Sequence, residues 1–153
     1  MKQHTYEVSV DWTGNDGDGT KTYKGYRRDH RIGAGAKAEI LASSDPTFRG
    51  DPSRYNPEEL LVASLASCQM LWYLHLCAVN GVNTVGYHDT ASGVMRENAD
   101  GSGEFVSVTL KPRVTIAAGS REKALELFHK AHELCFIARS VNFPVEVEGE
   151  IQE

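Results

Sequence analysis

From His4 to Trp12 the chain alternates. Tyr6, Val8, Val10 and Trp12 share one face, and Thr5, Glu7, Ser9 and Asp11 share the other. A period of two predicts a half-buried strand. Gly14-Asn15-Asp16-Gly17-Asp18-Gly19 follows, rich in residues that tolerate a positive φ, and predicts a hairpin loop. It superficially resembles a calcium loop, but no frame supplies the acidic ligands together with a closing glutamate at the twelfth position. Residues 20–28 and 36–43 read as two further strands.

The pattern then changes period. Asn56 is a capping residue, Pro57 suits a first helical position, and Glu58 and Glu59 favour the positive end of a helix dipole. The predicted helix runs to about Asn80, with Gly81 as a left-handed stop, and is about 36 Å long. Its apolar residues Leu60, Leu61, Leu65, Met70, Leu71, Trp72, Leu74 and Leu76 cover most of the circumference. Such a helix belongs at the centre of a fold or in an oligomer interface. The run from Leu60 to Val79 is long enough to span a bilayer, but Gln69, His75 and several small hydroxyl residues interrupt it and no basic flank borders it. A fully buried core helix is the expectation.

Residues 85–96 and 104–117 read as strands about the turn Asn98-Ala99-Asp100-Gly101. Ser120 caps a second helix that should end near Ala138, with Ala124, Leu127, Phe128, Ala131, Leu134, Cys135 and Ala138 on one stripe. Val145, Val147 and Ile151 alternate with glutamates in a last strand. The order βββ-α-ββ-α-β predicts an α+β fold, with antiparallel sheets packed around two helices.

Length and charge narrow the options. The 153 residues suit a single domain over 1–153, and 41% apolar with 24% charged residues describes a globular chain rather than a disordered one. A net charge of −5 and the lack of a basic run argue against nucleic acid as a partner. The first six residues form no apolar leader, so a cytoplasmic location is expected, with no membrane partner.

Three cysteines, an odd number, argue against a structural disulfide framework. Cys68 and Cys77 are nine residues apart on one helix and so lie on opposite faces. Cys135, on the stripe of the second helix, could meet Cys68 across a helix–helix contact. The bland alternative is that all three are buried small hydrophobes. His129, His132 and Cys135 drift around their helix by about 120° and converge poorly on one ion, so no metal is expected. Gly33-Ala34-Gly35 lacks a phosphate-loop pattern, and no G-x-S-x-G nucleophile motif is present.

Asn56-Pro57-Glu58-Glu59-Leu60-Leu61, with Cys68 ten residues after Glu58, resembles the N-P-E stretch that leads to the peroxidatic cysteine of the OsmC/Ohr family of thiol-dependent peroxidases. Ala131-His132-Glu133-Leu134-Cys135 resembles that family's resolving-cysteine segment, and Phe48-Arg49-Gly50-Asp51-Pro52 resembles one carried by its OsmC branch. The likeness covers nearly the whole chain. Cys135-Phe136 departs from the Cys-Pro often found there. The resemblance implies an intertwined homodimer that reduces organic or lipid hydroperoxides to alcohols through a Cys68 sulfenic acid and a Cys68–Cys135 disulfide. An external dithiol, of lipoyl type in the Ohr branch, would reopen that bond, and no cofactor is implied.

A thiol attacks peroxide only as thiolate, and a mid-helix cysteine gains nothing from a dipole end. A cation must therefore help, and arginine stays charged. The resemblance places it at Arg49, with Arg28 and Arg54 as alternatives, anchored by Glu58. Glu58 and Cys68 are about 15 Å apart along a helix, too far to touch, which favours a site completed by a second chain. The competing class is a non-enzymatic dimer that binds a small hydrophobic ligand, with inert cysteines.

Overall fold

A computed structural model describes all residues from Met1 to Glu153 and divides them into two compact units, Met1–Leu60 and Leu61–Glu153. In the first unit, β1 (Ser9–Trp12), β2 (His30–Gly33) and β3 (Ile40–Ala42) form an antiparallel sheet in that order. β1 is shorter than the alternation from His4 suggests. Ser9 stands opposite Gly33, where β2 ends, so residues 4–8 have no partner to pair with. Residues 20–28, expected as a strand, are turns and bends instead. Asn15 Oδ1 accepts the N–H groups of Gly17 and Gly19 at 3.0 Å. Gly17 and Gly19 both hold positive φ. The Arg28 guanidinium takes the carbonyls of Tyr26 and Tyr23 at 2.6 Å each, groups that a strand would offer to a neighbour.

Helix α1 (Pro57–Val79) starts and stops as its sequence predicts. Glu59 N–H donates to Asn56 Oδ1, and Asn56 Nδ2 donates back to Glu59 Oε1, both at 2.8 Å, a reciprocal cap. Gly81 at φ 71 closes the other end, where Val82 N–H reaches Cys77 O at 3.0 Å. The expectation of a fully buried helix is corrected. Leu65, Gln69, Tyr73 and Cys77, four residues apart, are the buried stripe. Ala63, Ser67, Leu71 and His75 form an exposed stripe on another side.

The two long strands expected between the helices form one antiparallel ribbon that bends midway. Each arm is therefore two strands: β4 (Asn83–Asp89) and β5 (Ser92–Glu97), then β6 (Gly103–Leu110) and β7 (Pro112–Ala118). β5 pairs with β6, and β4 with β7. The bend falls at Lys111-Pro112, where proline has no N–H for a ladder. Lys111 N–H donates to Asp89 Oδ1 at 2.7 Å.

Helix α2 (Arg121–Leu134) follows, with Ser120 as its cap. The final strand is also broken, into β8 (Val145–Val147) and β9 (Glu150–Gln152). These add parallel to β6 and β7, so the sheets are mixed rather than purely antiparallel. The long return through α2 is what makes a parallel pairing possible. Gly149, at the break, sits so close to Phe128 that a Cβ there would overlap the ring.

Two apolar clusters hold the second unit together. One joins Tyr73 and Cys77 of α1 to Val114 and Ile116 of β7 and to Leu127, Phe128 and Ala131 of α2. The other packs Leu65 against Val108, Leu110 and Val145. The chain is thus α+β, with two helices and mixed sheets, as the element pattern predicts.

Candidate functional site

Cys68 lies midway along α1, half-buried between the buried and the exposed stripe. Cys135 follows the last residue of α2 and is 1% exposed. It is not inside a helix running to Ala138, as the spacing suggests. Leu134 ends the helix, and Cys135 is its cap with extended backbone, φ −63 and ψ 113. Ala138 N–H, which would continue the helical ladder, instead donates to Cys135 Sγ at 3.4 Å. The sulfur thus sits at a joint between α2 and the 3₁₀ turn Ala138–Ser140.

The two thiols are close enough to influence each other. Burial pushes the Cys135 thiol up to about 11, and the neighbouring Cys68 thiol adds to the rise, opposed by the Ala138 N–H. Cys135 therefore keeps its proton at neutral pH. Cys77 faces the other way, buried among Tyr73 and the first apolar cluster. Burial chiefly, and the neighbouring Cys77 thiol secondarily, raise the Tyr73 hydroxyl well above the usual phenol range. All three thiols are free.

Beside Cys68 the surface is apolar. Leu71 and Phe136 are exposed by 60% and 67%. Trp72, one turn beyond Cys68, meets Phe136 edge-on at 5.4 Å and His75 at 5.8 Å. Leu71, Trp72 and His75 line a hollow of about 240 Å³.

The candidate charged residues belong to the first unit. Arg49 is exposed and holds a left-handed φ of 66 at the end of the turn Pro46–Phe48. Arg28 is spent locally, bound to two carbonyls and lying over the Tyr26 ring at 3.8 Å. Arg54 lies between carboxylates, 3.8 Å from Asp29 and from Asp51, and its Nη1 is buried with no partner. Asp29 is itself fixed by Arg27 at 2.7 Å and by Ser43 Oγ at 3.1 Å. Glu59 is engaged in the helix cap, which leaves Glu58, half-buried, as the other first-turn carboxylate.

His129 pairs with Glu133 at 3.2 Å, and His132 Nδ1 is buried without a partner. No cluster of three or more metal-ligating side chains occurs. Two other buried polar residues belong to no motif. Gln69 Nε2 donates to Phe128 O at 3.0 Å, and Tyr73 Oη donates to Ala124 O at 2.9 Å. Their signal was visible: a glutamine inside an apolar run, with a tyrosine one turn later.

The profile of the OsmC-like protein family matches residues 50–150. The chain is 32% identical to an OsmC-like protein of unknown function from Vibrio cholerae, with a TM-score of 0.84 over 98% of this chain and 100% of that one. It shares the fold of an organic hydroperoxide resistance protein from Legionella pneumophila, at 15% identity and a TM-score of 0.68 over the full length of both chains. The organic hydroperoxide resistance protein OhrB of Bacillus subtilis has the same fold, at 19% identity and a TM-score of 0.62 over 97% of this chain and 98% of that one. No curated protein sequence matches significantly. Matched over residues 50–150 and a third identical to the Vibrio cholerae protein along its length, the chain belongs to the OsmC-like protein family.

Proposed function

We propose that the protein is a thiol-dependent peroxidase that reduces organic hydroperoxides to alcohols and so protects against oxidative stress. The observation that carries this reading is that the Cys68 thiol is near enough to Cys135 to perturb its titration, with Cys77 buried on another face. Cys68 is the nucleophile, because it is the less buried of the pair and opens toward the exposed stripe of α1. Its thiolate attacks the distal peroxide oxygen. An S–O bond forms, the O–O bond breaks, and the alkoxide leaves and takes a proton to become the alcohol. Cys68 is then a sulfenic acid, oxidised by two electrons. Cys135 gives up its proton and attacks the Cys68 sulfur, so the S–S bond forms, the S–O bond breaks, and water leaves. An external dithiol of lipoyl type then reopens the bond by exchange and is itself oxidised to a disulfide.

Leu71, Trp72 and Phe136 favour an alkyl or lipid hydroperoxide over hydrogen peroxide. The thiolate needs a cation anchored by a carboxylate, and Glu58 is proposed for the latter. Arg49 is the choice from the sequence. Arg28 and Arg54 are the alternatives. A homodimer is proposed as well, since Ala63, Ser67, Leu71 and His75 leave one side of an apolar helix uncovered.

The apolar hollow supports a second reading, a binder of small hydrophobic ligands with inert cysteines. Titrating the reduced protein with cumene hydroperoxide and counting free thiols separates the two. Loss of two thiols per chain, with turnover when a dithiol is supplied, is the expected result. No loss of thiols would leave the binder.

A further inference from the structure

Two buried polar side chains of α1 are joined to the backbone of α2. Gln69 and Tyr73 are both fully buried, one turn apart. Their acceptors, Phe128 O and Ala124 O, are also one turn apart. As the donors advance along α1, the acceptors retreat along α2, so the helices run antiparallel here and both bonds fit one register only. A slide of α2 by a single residue would break both at once.

The pair is poorly explained by stability alone. Gln69 Oε1 is buried with no partner, which costs free energy that leucine or methionine at the same place would not incur. Both acceptor carbonyls belong to a helix that already supplies them with N–H donors. A buried polar group retained at a cost is best attested where it fixes one arrangement among several apolar ones. The arrangement fixed here matters to the two thiols. Gln69 is the neighbour of Cys68, and Cys135 caps the helix that Gln69 and Tyr73 hold.

We infer that Gln69 and Tyr73 are positioning residues: their hydrogen bonds to Phe128 and Ala124 set the register of α2 on α1 and so seat Cys135 against Cys68 for disulfide closure. The inference deepens the peroxidase reading and rests on it for its purpose. Apolar packing alone would let α2 sample neighbouring registers, in which the thiols part and the sulfenic acid waits. A waiting sulfenic acid is open to a second peroxide and to irreversible loss as sulfinic acid.

The test compares the wild type with Gln69→Met, Tyr73→Phe and the double variant, each close in volume and lacking the donor. The reduced proteins are equilibrated in glutathione buffers of graded redox state, and the Cys68–Cys135 disulfide is read by mass spectrometry. This gives the effective concentration of one thiol toward the other without any peroxide. In parallel, cumene hydroperoxide is added and sulfinic acid at Cys68 is quantified. The double variant should lower the effective concentration about tenfold, the scale on which lost preorganisation acts, and should reach sulfinic acid at lower peroxide. Tyr73→Phe, which removes one hydroxyl, should fold and show part of the effect. An unchanged effective concentration in the folded variants would overturn the inference. If the wild type closes the disulfide in glutathione and is inert to hydroperoxide, the peroxidase reading falls while the positioning role stands. If it closes no Cys68–Cys135 disulfide with either oxidant, both fall.

Discussion

Condensation of Cys135 with an oxidised Cys68 should be limited by a proton. Burial is the leading reason the Cys135 thiol is raised to about 11, and it persists after Cys68 is oxidised. At pH 7 only a very small fraction of Cys135 would then be thiolate, and the fraction grows about tenfold per pH unit below its pKa. The closing step should accelerate about tenfold per pH unit above pH 7 and level off only in the alkaline range, well above the pKa of an ordinary thiol. The perturbation is a pH jump. One equivalent of cumene hydroperoxide is added at pH 6, where closure is slowest. The sample is then mixed to a final pH between 7 and 10, quenched in acid at intervals and analysed by mass spectrometry. Decay of the sulfenic form into disulfide is the quantity measured. A decay rate that does not change from pH 7 to 10 would refute the buried, proton-holding Cys135. The same shift has an equilibrium consequence. In the reduced protein the folded state holds this proton more tightly than the unfolded chain, whose thiol titrates near 9. Its contribution to stability is therefore complete below about pH 9 and lost as pH rises toward about 11.

Other changes test other parts of the account. Cys135→Ser should permit one oxidation of Cys68 and then stall, with sulfenic or over-oxidised Cys68 seen by mass spectrometry. Sustained turnover with a dithiol would show that another thiol resolves. Cys77→Ala should leave peroxide turnover near wild type, because that thiol faces the Tyr73 cluster; loss of the intramolecular disulfide in this variant would contradict that placement. Leu65→Ala should destabilise the fold by about 3 kcal/mol in chemical denaturation, since Leu65 is fully buried against Val108 and Leu110. Light scattering at micromolar concentration should report a dimer whose thermal midpoint rises with concentration, and an active monomer would exclude a site shared between chains.

The features legible in the sequence are those fixed by local chemistry. Asn56, Pro57 and Gly81 bound α1, and Ser120 starts α2, because caps act within one turn. That Cys68 and Cys135 could approach each other was readable from the pattern, although Cys135 lies at the end of α2 rather than inside it. What escaped depends on distant groups. Residues 20–28 have strand-like composition, but the Arg28 fork claims the Tyr23 and Tyr26 carbonyls. The bend of the long ribbon and the parallel docking of β8 and β9 are set by partners far along the chain. Cys135 lies outside the helix and its sulfur takes the Ala138 N–H, a local arrangement that periodicity does not encode. The arginines could not be ranked by motif spacing. Their difference is one of environment: exposed at Arg49, consumed by carbonyls and rings at Arg28, half-buried between carboxylates with one unpartnered nitrogen at Arg54.

The central claim, that Cys68 and Cys135 act as one redox pair, is tested most directly by a non-reducing peptide map. The reduced protein is treated with one equivalent of cumene hydroperoxide, its remaining thiols are blocked, and it is digested. The account predicts a single new species in which the Cys68 peptide is joined to the Cys135 peptide, with Cys77 recovered as a blocked thiol. All three cysteines recovered as blocked thiols, or a disulfide that includes Cys77, would contradict it.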